Sequence, residues 1–155
     1  MTLARGIERG DRLLARIPKS LVQVALRVAV AVPFWRSGLT KWDGFLQLSE
    51  NAVLLFTEEF KLHLFGYEIP YPWPKLMAYL SGGFEILLPI LLVLGLATRF
   101  AALGIFAMTA IIQITIPDGW ANFHLPWAAM ALAVMAYGGG ALSLDRLIAK
   151  LYRGR

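Results

Sequence analysis

A chain of 155 residues that is 58% hydrophobic and 16% charged is too apolar for an ordinary soluble domain, where about a quarter of residues carry charge. It has no cysteine, which excludes disulfides, thiolate metal sites, iron–sulfur clusters and thioether-linked haem for this chain alone. Its net charge of +5 comes without an interleaved aromatic and basic stripe, so no nucleic-acid partner is expected, and the positive-inside rule explains the excess instead.

Residues 1–18 place Leu3, Ile7, Leu14 and Ile17 at helical spacing with Arg5, Arg9, Arg12 and Arg16 between them. This reads as a basic amphipathic helix on a membrane surface; the plainer alternative is a solvated basic tail. Pro18 separates it from the first span, about residues 21–37. Residues 20–35 hold a single charge, Arg27. The basic start and apolar run resemble a signal peptide, but Arg27 interrupts the run and Pro33-Phe34-Trp35-Arg36 is no small-residue cleavage site. An uncleaved span is expected, with Arg36 and Lys41 snorkelling at its far end.

Residues 43–75 form the one long connection. Asn51–Phe65 mixes Val53, Leu54, Leu55, Phe56 and Phe60 with Glu58, Glu59, Lys61 and His63. It is too polar to span, and an interfacial or re-entrant helix is expected. Pro70, Pro72 and Pro74 then preclude helix, and the aromatic residues among them suit a headgroup belt. Such a connection is often functional, or it is simply a lid over the bundle.

The second span covers about residues 76–97, with Glu85 as its only charge and Pro89 as a potential kink. Thr98-Arg99 gives a tight turn into a third span, residues 100–116, where Thr109, Gln113 and Thr115 either line a cavity or bond between helices. Pro117-Asp118-Gly119 ends it. The fourth span is about residues 125–142, with Ala129 and Ala133 placed for close helix approach. Gly138-Gly139-Gly140 loosens its end, and Ser143 is a ready cap for a basic helix in the tail 143–155.

These elements give an all-α integral membrane four-helix bundle, one domain over residues 1–155, with an interfacial or re-entrant segment between spans 1 and 2. Ten of the fifteen Lys and Arg fall before span 1, between spans 2 and 3, or after span 4. A bacterial-type inner membrane with both termini cytoplasmic is therefore expected, and the bilayer itself is the first partner.

A charge at the centre of a span costs about 2.5–3.5 kcal/mol on insertion scales, so it persists only with a partner, a wet cavity or a use. Arg27 and Glu85 have opposite signs. Counted from the same boundary they lie ~10 Å and ~20 Å deep at 1.5 Å per residue, so each is expected to pair with the other. That pair either orients a polar ligand and carries protons, or only clamps spans 1 and 2. His124, near Trp120, is placed to shuttle a proton or to hydrogen-bond a quinone carbonyl, or to sit in an aromatic belt. Lys41, Gln113 and His63 are secondary candidates. Two histidines so far apart give no metal-ligand spacing, and no metal is expected. No phosphate-binding, dinucleotide or hydrolase signature is present.

The run Phe84-Glu85-Ile86-Leu87-Leu88-Pro89, continuing through Gly95-Leu96-Ala97-Thr98-Arg99, resembles the core motif of the DoxX family. So does Arg36-Ser37-Gly38-Leu39-Thr40-Lys41 after span 1. Glu58-Glu59-Phe60, Met108-Thr109 with Ile112-Gln113, and Trp120 with His124 resemble elements of a subgroup. Gly138–Gly140 with Ser143-Leu144-Asp145 resembles the family's closing motif, with Gly139 where proline is usual. The resemblance covers roughly residues 22–148. It implies a four-helix membrane bundle and a small subunit of membrane redox complexes, some handling quinones or oxidative stress. On that resemblance the expected function is a redox-linked accessory subunit, with a quinone as possible cofactor near Arg27, Glu85, Trp120 and His124. Its partners would be redox-complex subunits or further copies of itself. A non-enzymatic scaffold and a small-solute transporter are the alternatives, the last disfavoured by the absence of an inverted repeat.

Overall fold

The computed structural model describes residues 2–154. Arg155 of the basic tail and the side chain of Leu3 in the apolar stripe lie outside the described residues. Helix α1 (Thr2–Leu14) is followed by α2 (Lys19–Leu39), which turns away from it by 68° at the Pro18 break. Two small hairpins flank a short helix: β1 (Trp42–Gly44) with β2 (Gln47–Leu48), then α3 (Glu50–Leu54), then β3 (Lys61–Leu64) with β4 (Tyr67–Pro70). Three further long elements follow: α4 (Pro74–Leu94), α5 (Thr98–Thr115) and α6 (Leu125–Tyr137). Helix α7 (Leu144–Arg153) closes the chain.

Helices α2, α4, α5 and α6 share one core. It joins Val30, Ala31 and Phe34 of α2 to Leu88 and Leu92 of α4, Ala101, Ala102 and Ile105 of α5, and Ala131 and Val134 of α6. Small residues let the backbones approach. At Gly38 a Cβ would lie 3.0 Å from the Glu85 backbone of α4, so that position fixes where α2 and α4 touch. Helix α4 continues through Pro89 and ends at Gly95, which takes φ 69° and lies beside Arg27. A side chain there would be strained by both conformation and space.

The outer faces are apolar. Val28, Val32, Leu87, Ile90, Val93, Leu103 and Leu132 are all exposed, a belt that water would not tolerate over such an area. Helices α4 and α5 are each long and apolar enough to cross a membrane, and the bent pair α1–α2 passes the same test if taken together. Helix α6 is shorter than the expected 125–142, because Gly138 and Gly140 both take positive φ and turn the chain. Its buried face runs through His124, Ala131 and Val134, while Ala129 is exposed. The expected approach through Ala129 and Ala133 is thus corrected by the helical period, which puts position 129 on the far side from 131.

The connection 43–75 also departs from expectation. Helix persists only over Glu50–Glu59, the last five residues in a wider π-type turn. Ser49 caps it, accepting from the Ala52 N–H at 3.1 Å. The remainder of the expected interfacial helix is strand. Lys61-Leu62-His63-Leu64 pairs with Tyr67–Pro70 across Phe65-Gly66, both with positive φ, the conformation of a tight two-residue hairpin loop. The segment folds over one end of the bundle. Phe56 is buried there, and the Tyr71 hydroxyl lies 2.6 Å from Thr115 Oγ1 of α5.

Candidate ligand-binding site

The two buried charges of opposite sign do not meet. Glu85 is 3% exposed, and its partner is Lys41: Nζ donates to Oε2 at 2.7 Å. Lys41 also donates to Ser37 Oγ at 3.1 Å, while Ser81, one turn before Glu85, donates to Oε1 at 3.1 Å. The expected Arg27–Glu85 pair is corrected by helix register. Glu85 sits level with Gly38, eleven residues along α2 from Arg27, which is about 16 Å of helix rise. Lys41 is correspondingly buried in the site and does not snorkel outward.

Arg27, 1% exposed, lies at the other end of the bundle. It donates to the Leu92 carbonyl at 3.2 Å and to the Leu142 carbonyl at 2.6 Å. The first of these is a C-terminal helix carbonyl that also accepts from the Gly95 N–H at 3.1 Å, and there the cation meets the negative end of the helix dipole. Its Nε is buried without a partner among the described residues. Asp145 stands nearby and caps α5, accepting from the Ala97 N–H at 2.7 Å, the Thr98 N–H at 2.9 Å and the Thr98 hydroxyl at 2.7 Å. Burial alone would raise the Asp145 carboxyl; those hydrogen bonds and the Arg27 charge outweigh it and hold it below the usual carboxylate range. This Arg27–Asp145 group joins helix ends.

His124 and Gln113 come together across the turn between α5 and α6. Gln113 Nε2 donates to the Pro117 carbonyl at 3.1 Å, which directs Oε1 toward His124 Nδ1 at 2.7 Å. An amide oxygen only accepts, so Nδ1 carries the proton. In the neutral ring Nε2 is then an acceptor, with no partner among the described residues. The ring packs over Gly119, where no side chain would fit, and 5.5 Å from Trp127.

These polar groups belong to one cavity of about 780 Å³. It occupies the half of the bundle away from Arg27. Its wall takes Phe34 and Ser37 from α2, Ser81, Phe84 and Glu85 from α4, Met108 and Ile112 from α5, and Trp127 from α6, with Phe56, Phe60 and Tyr71 from the 43–75 connection. It opens sideways between α4 and α5, where Leu80, Phe84 and Ile111 line it and remain exposed. The lining is apolar apart from Lys41–Glu85, Ser37, Ser81, His124, Thr115 and Asp118. Large apolar walls with a few fixed polar groups are the usual form of a small-molecule site.

The structure gathers Glu85, Lys41 and His124 on this wall, with Gln113 behind His124. Trp120 is exposed in the π-type turn and does not line the cavity; Trp127, on α6, lines it instead. His63 lies on β3, 3.3 Å from the Ile114 carbonyl and 3.7 Å from Glu68, outside the cavity. Thr109 and Thr115 return their hydroxyls to the carbonyls of Ile105 and Ile111 in the preceding turn of α5. Sequence reasoning missed the Lys41–Glu85 pairing, although Lys41, the last basic residue before the long connection, was a visible signal for it.

A family model described as DoxX matches residues 22–118. An uncharacterized protein of Haemophilus influenzae is 29% identical over 139 residues, covering 82% of this chain and 83% of the relative. No solved structure matches the chain at a significant level.

Proposed function

The chain belongs to the DoxX family, and on that premise we propose that it is a four-span bundle of the inner membrane whose cavity binds a neutral, lipid-soluble ring of the quinone class. In this reading α2, α4, α5 and α6 cross the bilayer, the last with the Trp120–His124 turn that precedes it. Both termini are cytoplasmic, because the basic residues cluster at that end. The protein then serves as a redox-linked accessory subunit.

The observation that carries the reading is a large, mostly apolar cavity with exposed lining residues on α4 and α5 and two unspent polar valences on its wall. Lys41 commits two of its three N–H donors within the protein, and His124 Nε2 makes no hydrogen bond among the described residues. A quinone carbonyl accepts from the first; a quinol hydroxyl donates to the second. Lys41 and Glu85 neutralise one another and the remaining charged lining residue, Asp118, is exposed, so the buried part of the wall favours an uncharged guest. A quinone, when bound, supplies the electron-carrying ring. The chain's own groups bind and orient it and hold protons at Lys41 Nζ and His124 Nδ1, with Glu85 as the carboxylate that holds Lys41.

Quenching of Trp127 fluorescence tests this. Short-chain quinone analogues titrated into detergent-solubilised protein should quench it saturably, with a Trp127→Phe variant as control. His124→Ala should weaken binding about tenfold, the order expected for one lost hydrogen bond in a dry site. Quenching that rises linearly without saturation, or is indifferent to His124, contradicts the proposal and favours a scaffold that binds no ligand.

A further inference from the structure

We infer that α1 and α7 together form a docking surface for anionic phospholipid at the end of the bundle that holds Arg27. Arg5, Arg9, Arg12 and Arg16 follow at steps of four, three and four residues and so make a single ridge along the helix through α1 and its final turn. Ile7 and Leu14 lie opposite. In α7, Arg146, Lys150 and Arg153 repeat the ridge at steps of four and three, with Leu147, Ile148 and Leu151 opposite. Ile7, Leu14, Leu147, Ile148 and Leu151 are all exposed, so among the described residues these stripes are not packed on the bundle. None of the seven basic side chains makes a hydrogen bond or ion pair among the described residues.

Both helices come from the same end. Helix α1 leaves α2 at 68°, an angle that lays it along a bilayer surface if α2 crosses it. Helix α7 is fixed at its start. Ser143 accepts from the Arg146 N–H at 3.3 Å, the Asp145 N–H donates to the Gly95 carbonyl at 2.9 Å, and the Asp145 carboxylate caps α5. The rest of α7 therefore projects from the α4–α5 turn as a held platform. Two amphipathic helices with basic ridges and uncovered apolar stripes match one occupant by charge and by polarity: a lipid surface carrying negative headgroups. An acidic protein would answer the charge but leave both apolar stripes in water.

The cysteine-free chain makes the test direct. Single variants Ile7→Cys and Leu151→Cys of the full protein carry a nitroxide and are reconstituted in vesicles of phosphatidylglycerol or of phosphatidylcholine. Power saturation reads each label's accessibility to oxygen, which partitions into lipid, and to a water-soluble nickel chelate. In phosphatidylglycerol both labels should favour oxygen. In phosphatidylcholine, or after Arg5, Arg9, Arg12, Arg16, Arg146, Lys150 and Arg153 are all changed to Gln, they should shift toward the chelate. Attraction is worth about fivefold per basic residue near the surface, and raising salt from 0.1 to 1 M should reduce it as the screening length falls from about 10 to 3 Å. The Gln variant should melt like the parent in phosphatidylcholine, since those side chains bond to nothing in the fold. Equal accessibility in both lipids, retention of the phosphatidylglycerol response by the Gln variant, or protection of the labels only on adding an acidic soluble protein would overturn the inference.

Discussion

Lys41 at the end of α2 and Glu85 in the middle of α4 form a buried ion pair with N–O 2.7 Å, one turn beyond Gly38, where the two helices touch. The pair explains how a carboxylate survives within an apolar helix. Breaking a buried pair leaves an uncompensated charge, at a cost of about 3–5 kcal/mol, whereas replacing both members is often neutral. Glu85→Leu and Lys41→Met should each lower the melting temperature strongly in detergent, and the two together should recover most of the loss. A double-variant cycle with additive losses would argue against the pairing.

Gly38 sets the register that makes this pair. A Cβ there meets Ile86 Cδ1 at 2.9 Å and the Glu85 backbone at 3.0 Å. Gly38→Val should destabilise by about 1–3 kcal/mol through overpacking, and should also disturb Lys41–Glu85. Gly83, on the same stretch of α4 with open space at its Cβ position, is the control; Gly83→Ala should be neutral or mildly stabilising, as helix propensity favours alanine by about 1 kcal/mol. Thermal melts of the two variants compare these directly.

The long apolar runs made the helices α2, α4 and α5 legible, since hydropathy and length suffice for a membrane element. The singular status of Arg27 and Glu85 was equally plain. Their partners were not, because partner choice depends on antiparallel register. That register is fixed by which glycine meets which backbone, and a depth count from each helix end does not contain it. The hairpin at Lys61–Pro70 was illegible for another reason. Its strands are four residues long, and its turn puts Phe65 at φ 52°, a conformation that no aromatic residue advertises. His124 and Gln113 were both visible as polar residues in an apolar setting; the turn at Pro117–Gly119 that joins them supplied the geometry.

Asp145 gives the fold an acid-sensitive contact. Its folded-state value is depressed, so its stabilising contribution is complete above the ordinary carboxylate pKa and is lost as pH falls through the folded value. Stability should therefore decline below about pH 4, where unperturbed aspartate titrates. Asp145→Ala should cost about 0.5–2 kcal/mol at neutral pH, the range for losing a helix cap, and should flatten that part of the acid limb. Melting curves between pH 3 and 7 for both proteins report this; parallel curves would remove Asp145 from the account.

In the proposed function, the cavity lined by α2, α4, α5 and α6 holds a lipid-soluble ring. Ile112→Trp places a larger side chain on the wall of that cavity while leaving Lys41, Glu85, His124 and Gln113 themselves unchanged. Mass spectrometry of organic extracts from protein purified gently from its membrane is the most direct test. The account predicts a quinone-class molecule at about one per wild-type chain under saturating conditions, and its loss from a folded Ile112→Trp variant. Extracts of the two proteins that contain the same bulk phospholipids in the same proportions, with no such molecule in either, would contradict it.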